Sequence, residues 1–251
     1  MPTAPSFSMW KESDLMRKIL SLVVAAILVA GAAGHVAADL ISEFEPNPAG
    51  TDPNPTPVEL SGTPGAAFSG FLTFIDTDGG TALGGINSSD AVNGTFDMNG
   101  LAVVNLPFDA ENPSYTIVFS SAQPTADVDA DDDRVLDDAS VFGTVFDAVG
   151  IIDATGDATD FATALGGVEF STANEFELAF RDASTGQFFG VDTGTGDVFD
   201  TSGTIFGAAD FDLDPLASTF GSINPTFAVP EPSSGLVLGL FAGLGLIRRK
   251  R

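Results

Sequence analysis

The 251-residue chain contains no cysteine, a single histidine and a single tryptophan. His35 and Trp10 both lie near the N-terminus, and every lysine lies near one of the two ends, so residues 39–228 contain no Cys, His, Trp or Lys. These absences exclude the usual catalytic triads, standard zinc ligand sets, Schiff-base chemistry and a phosphate-loop lysine. Since no disulfide is available, the fold must be held by its apolar core.

Positive charge is also nearly absent from the middle of the chain. Residues 39–228 carry 32 of the 35 acidic residues but only two basic ones, Arg134 and Arg181, which gives this part a formal net charge of −30. Direct binding to nucleic acid is excluded because phosphates need basic contacts. Self-repulsion opposes compaction, so divalent cations or salt should stabilise the folded part. Twenty of the 22 phenylalanines lie in the same range and supply apolar area for a core.

The N-terminal region has the residue order of a secretory signal. Arg17 and Lys18 precede the apolar run Ile19–Ala30, and small residues follow as far as Val36-Ala37-Ala38. A short positive region, an apolar region and small residues before the cut are the three parts of a signal peptide. The alternative is a buried helix of a globular domain, which the flanking residues disfavour.

We therefore predict a signal peptide over residues 16–38, cut by signal peptidase between Ala38 and Asp39. The polar residues 1–15 precede its positive region and do not belong to it. They are predicted to be disordered or to reflect a misassigned start, with Met16 as the true first residue.

The C-terminal residues form a second signal in three parts. Val229-Pro230-Glu231-Pro232 is followed by two serines, then by the apolar residues 235–247, and finally by Arg248-Arg249-Lys250-Arg251. This order resembles the PEP-CTERM sorting signal of bacterial exported proteins, which is also catalogued as an ice-binding-protein C-terminal motif. The resemblance covers residues 229–251. It implies cleavage near the motif by a membrane-embedded exosortase, and release to the cell surface, the outer envelope or an exopolysaccharide matrix.

The length of the apolar part agrees with a temporary anchor. Thirteen helical residues rise about 20 Å, which is less than the roughly 30 Å hydrocarbon core of a bilayer. The basic tail is expected to stay cytoplasmic, leaving residues 39–228 outside. An ordinary single-span anchor with a basic stop-transfer sequence is the alternative.

The exported part, residues 39–228, has the composition of an all-β domain. Turn-forming residues recur every eight to twelve residues or so, as in a sandwich. Tyr115, Ile117 and Phe119 alternate with Thr116 and Ser120, which predicts a strand with one buried face. Residues 175–180 predict a second such strand, because Phe176, Leu178 and Phe180 alternate with two glutamates and an alanine. Residues 71–75 are apolar on both faces except at Thr73 and predict a central strand. Residues 141–152 fit neither a helical nor a strand period.

Two turns are predicted between strands. Asn99-Gly100 separates residues 94–98 from 101–106 and predicts a hairpin, because both residues tolerate positive φ. Gly186 is predicted to close a turn between residues 176–181 and 187–192. Residues 46–57 and 122–138 are predicted loops, the first rich in proline and asparagine, the second acidic.

Three short segments resemble lamin-tail domains. Residues 40–50 (LISEFEPNPAG) resemble their first strand and turn, Val58-Glu59-Leu60 their second strand, and Phe146–Gly150 a late strand. The aromatic residue usual before the second strand is missing, and the segments are widely spaced. The resemblance implies an immunoglobulin-like or related β-sandwich, used as a binding or accessory module. The predicted chain is therefore an all-β sandwich between an N-terminal signal helix and a short C-terminal transmembrane helix.

The acidic loop carries carboxylates on alternate residues, a spacing that resembles calcium loops of the EF-hand, dockerin and thrombospondin type 3 kinds. The candidate ligands are Asp127, Asp129, Asp131, Asp133 and Asp137. Such a loop curls round one Ca²⁺ and brings hard oxygens together. Two positions depart from the pattern: Arg134 stands where a glycine makes the sharp turn, and Ser140 where an acid closes the site. A solvated acidic loop without a metal is the equal alternative.

Three functions remain open after these exclusions. The first is a non-enzymatic envelope or matrix protein that binds polysaccharide, with calcium as a stabilising ion. The second is a secreted glycoside hydrolase that depends on carboxylates, for which Glu169, Glu175 and Glu177 are the best-placed acids. Glu175 and Glu177 are more simply read as exposed positions of an amphipathic strand. Ice or mineral binding needs a regular threonine face, which the scattered threonines do not provide.

Overall fold

The structure is a computed structural model that describes residues 39–48, 50, 53–78, 83–107, 114–171 and 176–228. The predicted signal peptide (16–38), the residues before it and the predicted sorting signal (229–251) lie outside this part of the chain. Glu175 also lies outside it. Among the described residues, no helix is long and apolar enough to cross a membrane.

Short strands provide most of the regular structure in the described part. They are β1 (Leu40–Phe44), β2 (Thr56–Ser61), β3 (Ala67–Asp76), β4 (Ile86–Thr95), β5 (Leu101–Leu106), β6 (Tyr115–Ser120), β7 (Val145–Ile151), β8 (Val168–Glu169), β9 (Leu178–Arg181), β10 (Phe188–Asp192), β11 (Asp197–Asp200) and β12 (Ile205–Gly207). A single helical turn, α1 (Phe161–Ala164), and 3-10 turns at Ala139–Phe142, Thr155–Asp157 and Ala208–Asp210 complete the list. The predicted all-β class is confirmed.

The strands form two sheets that pack as a sandwich. Sheet A has the order β12-β11-β10-β9-β1-β2-β5, and sheet B has the order β4-β3-β6-β7-β8. The pairings are antiparallel except for β7 with β8. The inner faces share an aromatic core whose members include Phe44, Phe74, Tyr115, Phe119 and Phe188. Close-packed aromatic rings of this kind give the core that a chain without disulfides requires.

The outer face of sheet A is covered by the C-terminal strap, which we define as residues 208–228. Phe180 and Phe189 point to this face and meet Phe211 of the strap, with ring centroids 5.8 and 5.1 Å apart respectively. Phe227 stacks on Phe189 at 6.2 Å. The outward side of β9 and β10 is therefore as apolar as the inward side.

The outer face of sheet B is covered by the acidic loop and by α1. Val118 and Ala148 lie on this face and pack in one cluster with Val128, Phe142 and Phe161. All six residues of β6 are consequently buried. The alternation of Tyr115, Ile117 and Phe119 predicted the inner face correctly, but the other face of the strand is buried too.

The hairpin predicted at Asn99-Gly100 is wrong, because the strands on either side of it belong to different sheets. A tight turn does form, with Gly100 at φ 80° and its N–H donating to the carbonyl oxygen of Asp97. Oδ1 of Asp97 accepts from the N–H groups of Asn99 and Leu101, both at 2.8 Å. The turn carries the chain from β4 in sheet B to β5 in sheet A.

Other local predictions agree with the structure in most respects. Gly186, at φ 74°, lies in the turn between the paired strands β9 and β10. Strand β3 has neighbours on both sides, as predicted for residues 71–75. The ambiguous residues 141–152 end a 3-10 turn and then form β7. Phe176 differs from the prediction: it packs in the inner core, on the opposite side from Leu178 and Phe180.

A largely buried ion pair joins the two sheets. Asp147 of β7 accepts from the N–H of Ile41 on β1 at 2.9 Å and from Nη2 of Arg181 on β9 at 2.5 Å. Arg181 also donates to the carbonyl oxygens of Ile41 and Gly186, and its guanidinium carbon lies 4.2 Å from the ring centre of Phe188. Burial raises the pKa of Asp147, and the charge of Arg181 offsets part of the rise.

We predict that Arg181→Leu lowers the free energy of unfolding by roughly 3–5 kcal/mol, because removing one partner leaves a buried carboxylate unpaired. Urea denaturation at neutral pH measures the loss. The matched control is Arg134→Leu, which removes the other arginine of residues 39–228 at a partly exposed site and should cost less than about 1 kcal/mol. Equal losses in the two variants would contradict the assigned role of the pair.

Candidate functional site

The acidic loop brings three of the five predicted calcium ligands together. Carboxylate oxygens of Asp129, Asp131 and Asp133 all lie within 4.8 Å of one another. Asp131 and Asp133 are exposed, whereas Asp129 is fully buried. The loop has no strand between β6 and β7, as the sequence predicted.

Asp129 gives the loop its shape. Its Oδ1 accepts from the N–H of Asp133 at 3.0 Å, and its Oδ2 accepts from the N–H of Arg134 at 2.8 Å. Asp132 and Arg134 have φ values of 56° and 72°, a left-handed conformation that costs a residue with a side chain about 1 kcal/mol or more. The sharp turn expected at the position of Arg134 is therefore present, although the residue is not glycine.

The other two predicted ligands, Asp127 and Asp137, accept hydrogen bonds from backbone N–H groups of the loop. Oδ1 of Asp127 accepts from the N–H of Asp129, and Oδ2 of Asp137 accepts from the N–H of Ala130, both at 2.9 Å. Ser140, at the closing position of the pattern, lies in the first turn of a 3-10 helix and donates its N–H to Asp138. Neither Asp127 nor Asp137 belongs to the group of three carboxylates that lie together.

The electrostatics of the three carboxylates favour a cation. The charge of Asp133 is the main cause of a raised pKa at Asp131, with smaller effects from burial, Asp137 and Asp129. A divalent cation would relieve this repulsion, and carboxylate oxygens are the ligands that Ca²⁺ prefers. The donor set therefore fits calcium.

A second group of acids lies on the outer face of sheet A. Glu43 on β1 is directly opposite Glu59 on β2 and Phe180 on β9. Both glutamates are fully buried, and no arginine touches either one in the described residues. Two adjacent buried carboxylates without a cation favour the protonated form of at least one of them.

The strap supplies the donors for this pair. Thr219 donates its N–H to Oε1 of Glu43, and its hydroxyl lies 2.7 Å from Oε2 of Glu43 and 2.6 Å from Oδ1 of Asn224. The N–H of Gly221 donates to Oε2 of Glu59 at 2.6 Å. Asn224 is fixed by donating its amide to the carbonyl oxygen of Ser42. One threonine proton cannot serve both acceptors, so a proton on Glu43 completes the network.

Glu59 is the more strongly perturbed member of the pair. Burial raises its pKa to about 7, against smaller opposing effects from the hydrogen bonds of Gly221 and Ser42. The charges of Glu43 and Asp97 add to the rise. Its Oε1 has no hydrogen-bond partner among the described residues, which favours a neutral carboxylic acid at this position.

The third feature is a cavity of about 390 Å³ on the outer face of sheet B. Its walls include Glu169, Thr116, Thr159, Thr163 and Phe170. Glu169 ends β8 and is half-buried, and burial raises its pKa, opposed mainly by the hydrogen bond from Thr163. Of the three acids proposed for catalysis, Glu169 is the one that lines this cavity.

Glu177 does not line the cavity with Glu169. Glu177 lies just before β9 in sheet A, and its Oε2 accepts from the N–H of Thr193 at 2.7 Å. Glu175 is outside the described residues. A glycoside hydrolase needs two carboxyl groups roughly 5–9.5 Å apart across the bond to be cut. Among the described residues that line the cavity, Glu169 is the only acid.

Sequence reasoning missed Glu43, Glu59 and Thr116 as site residues. Ile-Ser-Glu-Phe and Val-Glu-Leu each place one acid inside an apolar strand, and this was the available signal for the two glutamates. The strap that buries these two glutamates could not be predicted from the sequence. Thr116 looked like an ordinary polar-face residue between Tyr115 and Ile117.

Comparison of the chain with protein-family models, with curated proteins and with solved structures found no match. The resemblances to sorting signals and to lamin-tail domains thus rest on the residues quoted for them. They stay predictions.

Glu59→Gln tests the buried pair through pH. A carboxyl group whose pKa rises on folding contributes stability that is complete below its unfolded pKa, near 4.5, and is lost as pH rises through about 7. Between pH 5 and pH 8 the wild type should lose on the order of 3 kcal/mol more than Glu59→Gln, because one pKa unit corresponds to about 1.4 kcal/mol. Urea midpoints at the two pH values measure this difference.

The control for that comparison is Glu177→Gln. It removes the same charge from a partly exposed position outside the pair, so its pH profile should follow that of the wild type. If Glu59→Gln also follows the wild type, folding does not raise the pKa of Glu59 and the account of the pair is wrong.

Proposed function

We propose that this chain is an exported bacterial protein of the cell envelope or exopolysaccharide matrix, sorted by its C-terminal signal and serving a structural or binding role. The observation that carries the proposal is the order of three parts in residues 229–251: the Val-Pro-Glu-Pro motif, a short apolar run and a basic tail. The signal-peptide pattern of residues 16–38 supports export independently. Signal peptidase and an exosortase are the processing partners that this route requires.

The folded body is compatible with that route. Phe227 and Ala228 are still fastened to it: the N–H of Phe227 donates to Oδ2 of Asp182, and that of Ala228 to the carbonyl oxygen of Asp210. The motif begins one residue later, at Val229. A processing enzyme would therefore meet the motif directly beside the body.

A binding role is favoured over hydrolysis by the placement of the acids. Glu169 has the raised pKa that a general acid needs. However, the described cavity walls offer it no second carboxylate. The hydrolase stays the alternative, since Glu175 lies outside the described residues.

We also propose that the sandwich is immunoglobulin-like, of the kind found in lamin-tail domains. The support is local: β1 with Ile-Ser-Glu pairs antiparallel with β2, which contains Val-Glu-Leu. The segment Phe146–Gly150 lies on β7. In this arrangement the strand edges and loops, rather than a catalytic cleft, would contact polysaccharide.

The acidic loop is proposed to hold one stabilising Ca²⁺ through Asp129, Asp131 and Asp133. Calcium binding by exposed carboxylates is consistent with export, because extracellular modules bind this ion with dissociation constants of about 10⁻⁴–10⁻³ M. The ion would also reduce the self-repulsion of a body with net charge −30. Asp129 has a structural role besides, which makes Asp131 and Asp133 the better positions to test.

Calcium should raise the melting temperature of the full-length chain in detergent. The rise should be about 5 °C or more when calcium exceeds its dissociation constant about 100-fold, since that excess adds roughly 2.7 kcal/mol. Asp131→Asn with Asp133→Asn should abolish it. Differential scanning calorimetry with calcium, and with sodium at equal ionic strength, measures the effect.

Asp212→Asn with Asp214→Asn is the matched control, because it removes two exposed charges from the strap and should keep the calcium increment. Equal shifts from calcium and sodium would reject the site. An unchanged increment in the Asp131 and Asp133 variant would reject it as well.

Sorting is tested by replacing Pro230, Glu231 and Pro232 with alanine in a bacterium that contains an exosortase. The wild type should yield an external product that lacks the basic tail, whereas the variant should stay in the membrane with its tail intact. Fractionation and mass spectrometry of the C-terminus measure both outcomes. Alanine at Ser233 and Ser234 is the control and should be processed normally. Recovery of intact wild-type chain from the soluble cytosol would overturn the proposal.

A further inference from the structure

The floor of the cavity on sheet B is built from one row of residues across neighbouring strands. Thr116 on β6 is opposite Gly150 on β7, and Gly150 is opposite Glu169 on β8. A side chain on Gly150 would collide with Glu169, because its Cβ would lie 2.5 Å from Cγ of that residue. The missing side chain therefore lets Glu169 lie over β7, on the side towards Thr116.

Thr116 has an unused polar group. The residue is fully buried, and its hydroxyl has no hydrogen-bond partner among the described residues. Leaving a buried hydroxyl unpaired costs about 1–3 kcal/mol. Thr116 also lines the cavity, but its hydroxyl oxygen is closed to solvent in the ligand-free chain. A ligand that displaces this side chain slightly and reaches the hydroxyl would remove the cost.

The carboxylate of Glu169 is also incompletely satisfied. Its Oε1 accepts long bonds of 3.3 Å from the hydroxyl of Thr159 and the N–H of Ala162. The hydroxyl of Thr163 lies 3.1 Å from Oε2 of Glu169 and 3.0 Å from the carbonyl oxygen of Asp160. Its single proton is shared between these two acceptors, and the carbonyl oxygen can only accept. Oε2 thus lacks a committed donor, and a ligand with several protons to donate would supply one.

The negative charge of Glu169 and of the surrounding protein decides which kind of proton-donating ligand the cavity favours. No basic residue lines the cavity within the described part, and Arg134 is occupied by the carbonyl oxygen of Ala158. Phosphates and acidic sugars would meet an unpaired carboxylate in a strongly negative protein, so anions are disfavoured. A cation is attracted by both the carboxylate and the surrounding field, and it gains more from Glu169 than a neutral donor does.

We infer that this cavity binds a small organic molecule through a primary ammonium group, with Glu169 and the hydroxyl of Thr116 as acceptors. The volume of about 390 Å³ lies within the range of roughly 300–1,000 Å³ that is typical of small-molecule sites. Ile152 and Ala158 add apolar lining for the rest of the ligand, whereas the side chains of Ile151 and Phe170 belong to the inner core. Ser171 also lines the cavity. The inference does not depend on the sorting route proposed above.

The test uses D-glucosamine and D-glucose, which differ by an ammonium group in place of one hydroxyl. The full-length chain in detergent is titrated with each sugar at constant ionic strength and neutral pH, and the amide NMR signals of Ala162, Gly150 and Ser171 are followed. Glucosamine should give saturable shifts at these amides, whereas glucose should bind at least about tenfold more weakly. Equal binding of the two sugars, or no saturable shift with glucosamine, would overturn the inference.

Two variants locate the contact. Glu169→Gln keeps the shape of the side chain and should weaken glucosamine binding about tenfold or more. Thr116→Val removes the unpaired hydroxyl without changing the volume, so the fold should be kept and affinity should fall about threefold or more. Glu177→Gln removes one charge on sheet A and should bind like the wild type. Full affinity in both cavity variants, or equal weakening in Glu177→Gln, would show that the attraction is general and overturn the site.

Discussion

Residues 39–228 contain two arginines for 32 acidic residues, so most of the buried carboxylates there must be satisfied by neutral donors. Only Asp147 receives an arginine among the described residues. The others accept hydrogen bonds from N–H and hydroxyl groups of loops. Asp129 holds the acidic loop, and Glu43 and Glu59 hold the strap. Glu169 holds α1 and the residues just before it. The acids therefore act as attachment points for the segments that cover the two sheets, and this explains how so acidic a chain keeps both outer faces closed.

The number of donors decides the protonation of each attachment point. Burial alone would raise the pKa of Asp182, but hydrogen bonds from Phe227, Ser184 and Thr185 bring it below its usual range. Glu59 is more deeply buried, receives fewer donors and has a pKa of about 7. A carboxylate with several committed donors stays ionised inside a protein, whereas a buried one with fewer donors, as Glu59 has, takes up a proton more readily. The two kinds of site occur on the same sheet and serve the same strap.

Apolar alternation and turn residues predicted β3, β5, β6, β9 and β10 in part, and the turn at Gly186, because these features depend on neighbours in the sequence. They did not predict that β4 and β5 lie in different sheets, since the turn at Asn99-Gly100 is compatible with either arrangement. The spacing of Asp129, Asp131 and Asp133 predicted their convergence, since a single loop contains them all. The row of Thr116, Gly150 and Glu169 could not be predicted from the sequence. Its members lie on three different strands, and only the pairing register of those strands brings them together.

The strap shows how these two kinds of acid shape one segment. Its middle, at Thr219 and Gly221, is held by Glu43 and Glu59, and burial raises the pKa of both. The attachment through Glu59 weakens as pH rises through about 7. Its end, at Phe227, is held by Asp182, whose lowered pKa keeps it ionised there, and this attachment is lost only under acid conditions. An alkaline shift would thus loosen the middle of the strap before its end. Because Val229 follows that end directly, the residues next to the proposed sorting motif keep their place on the body while the strap loosens elsewhere.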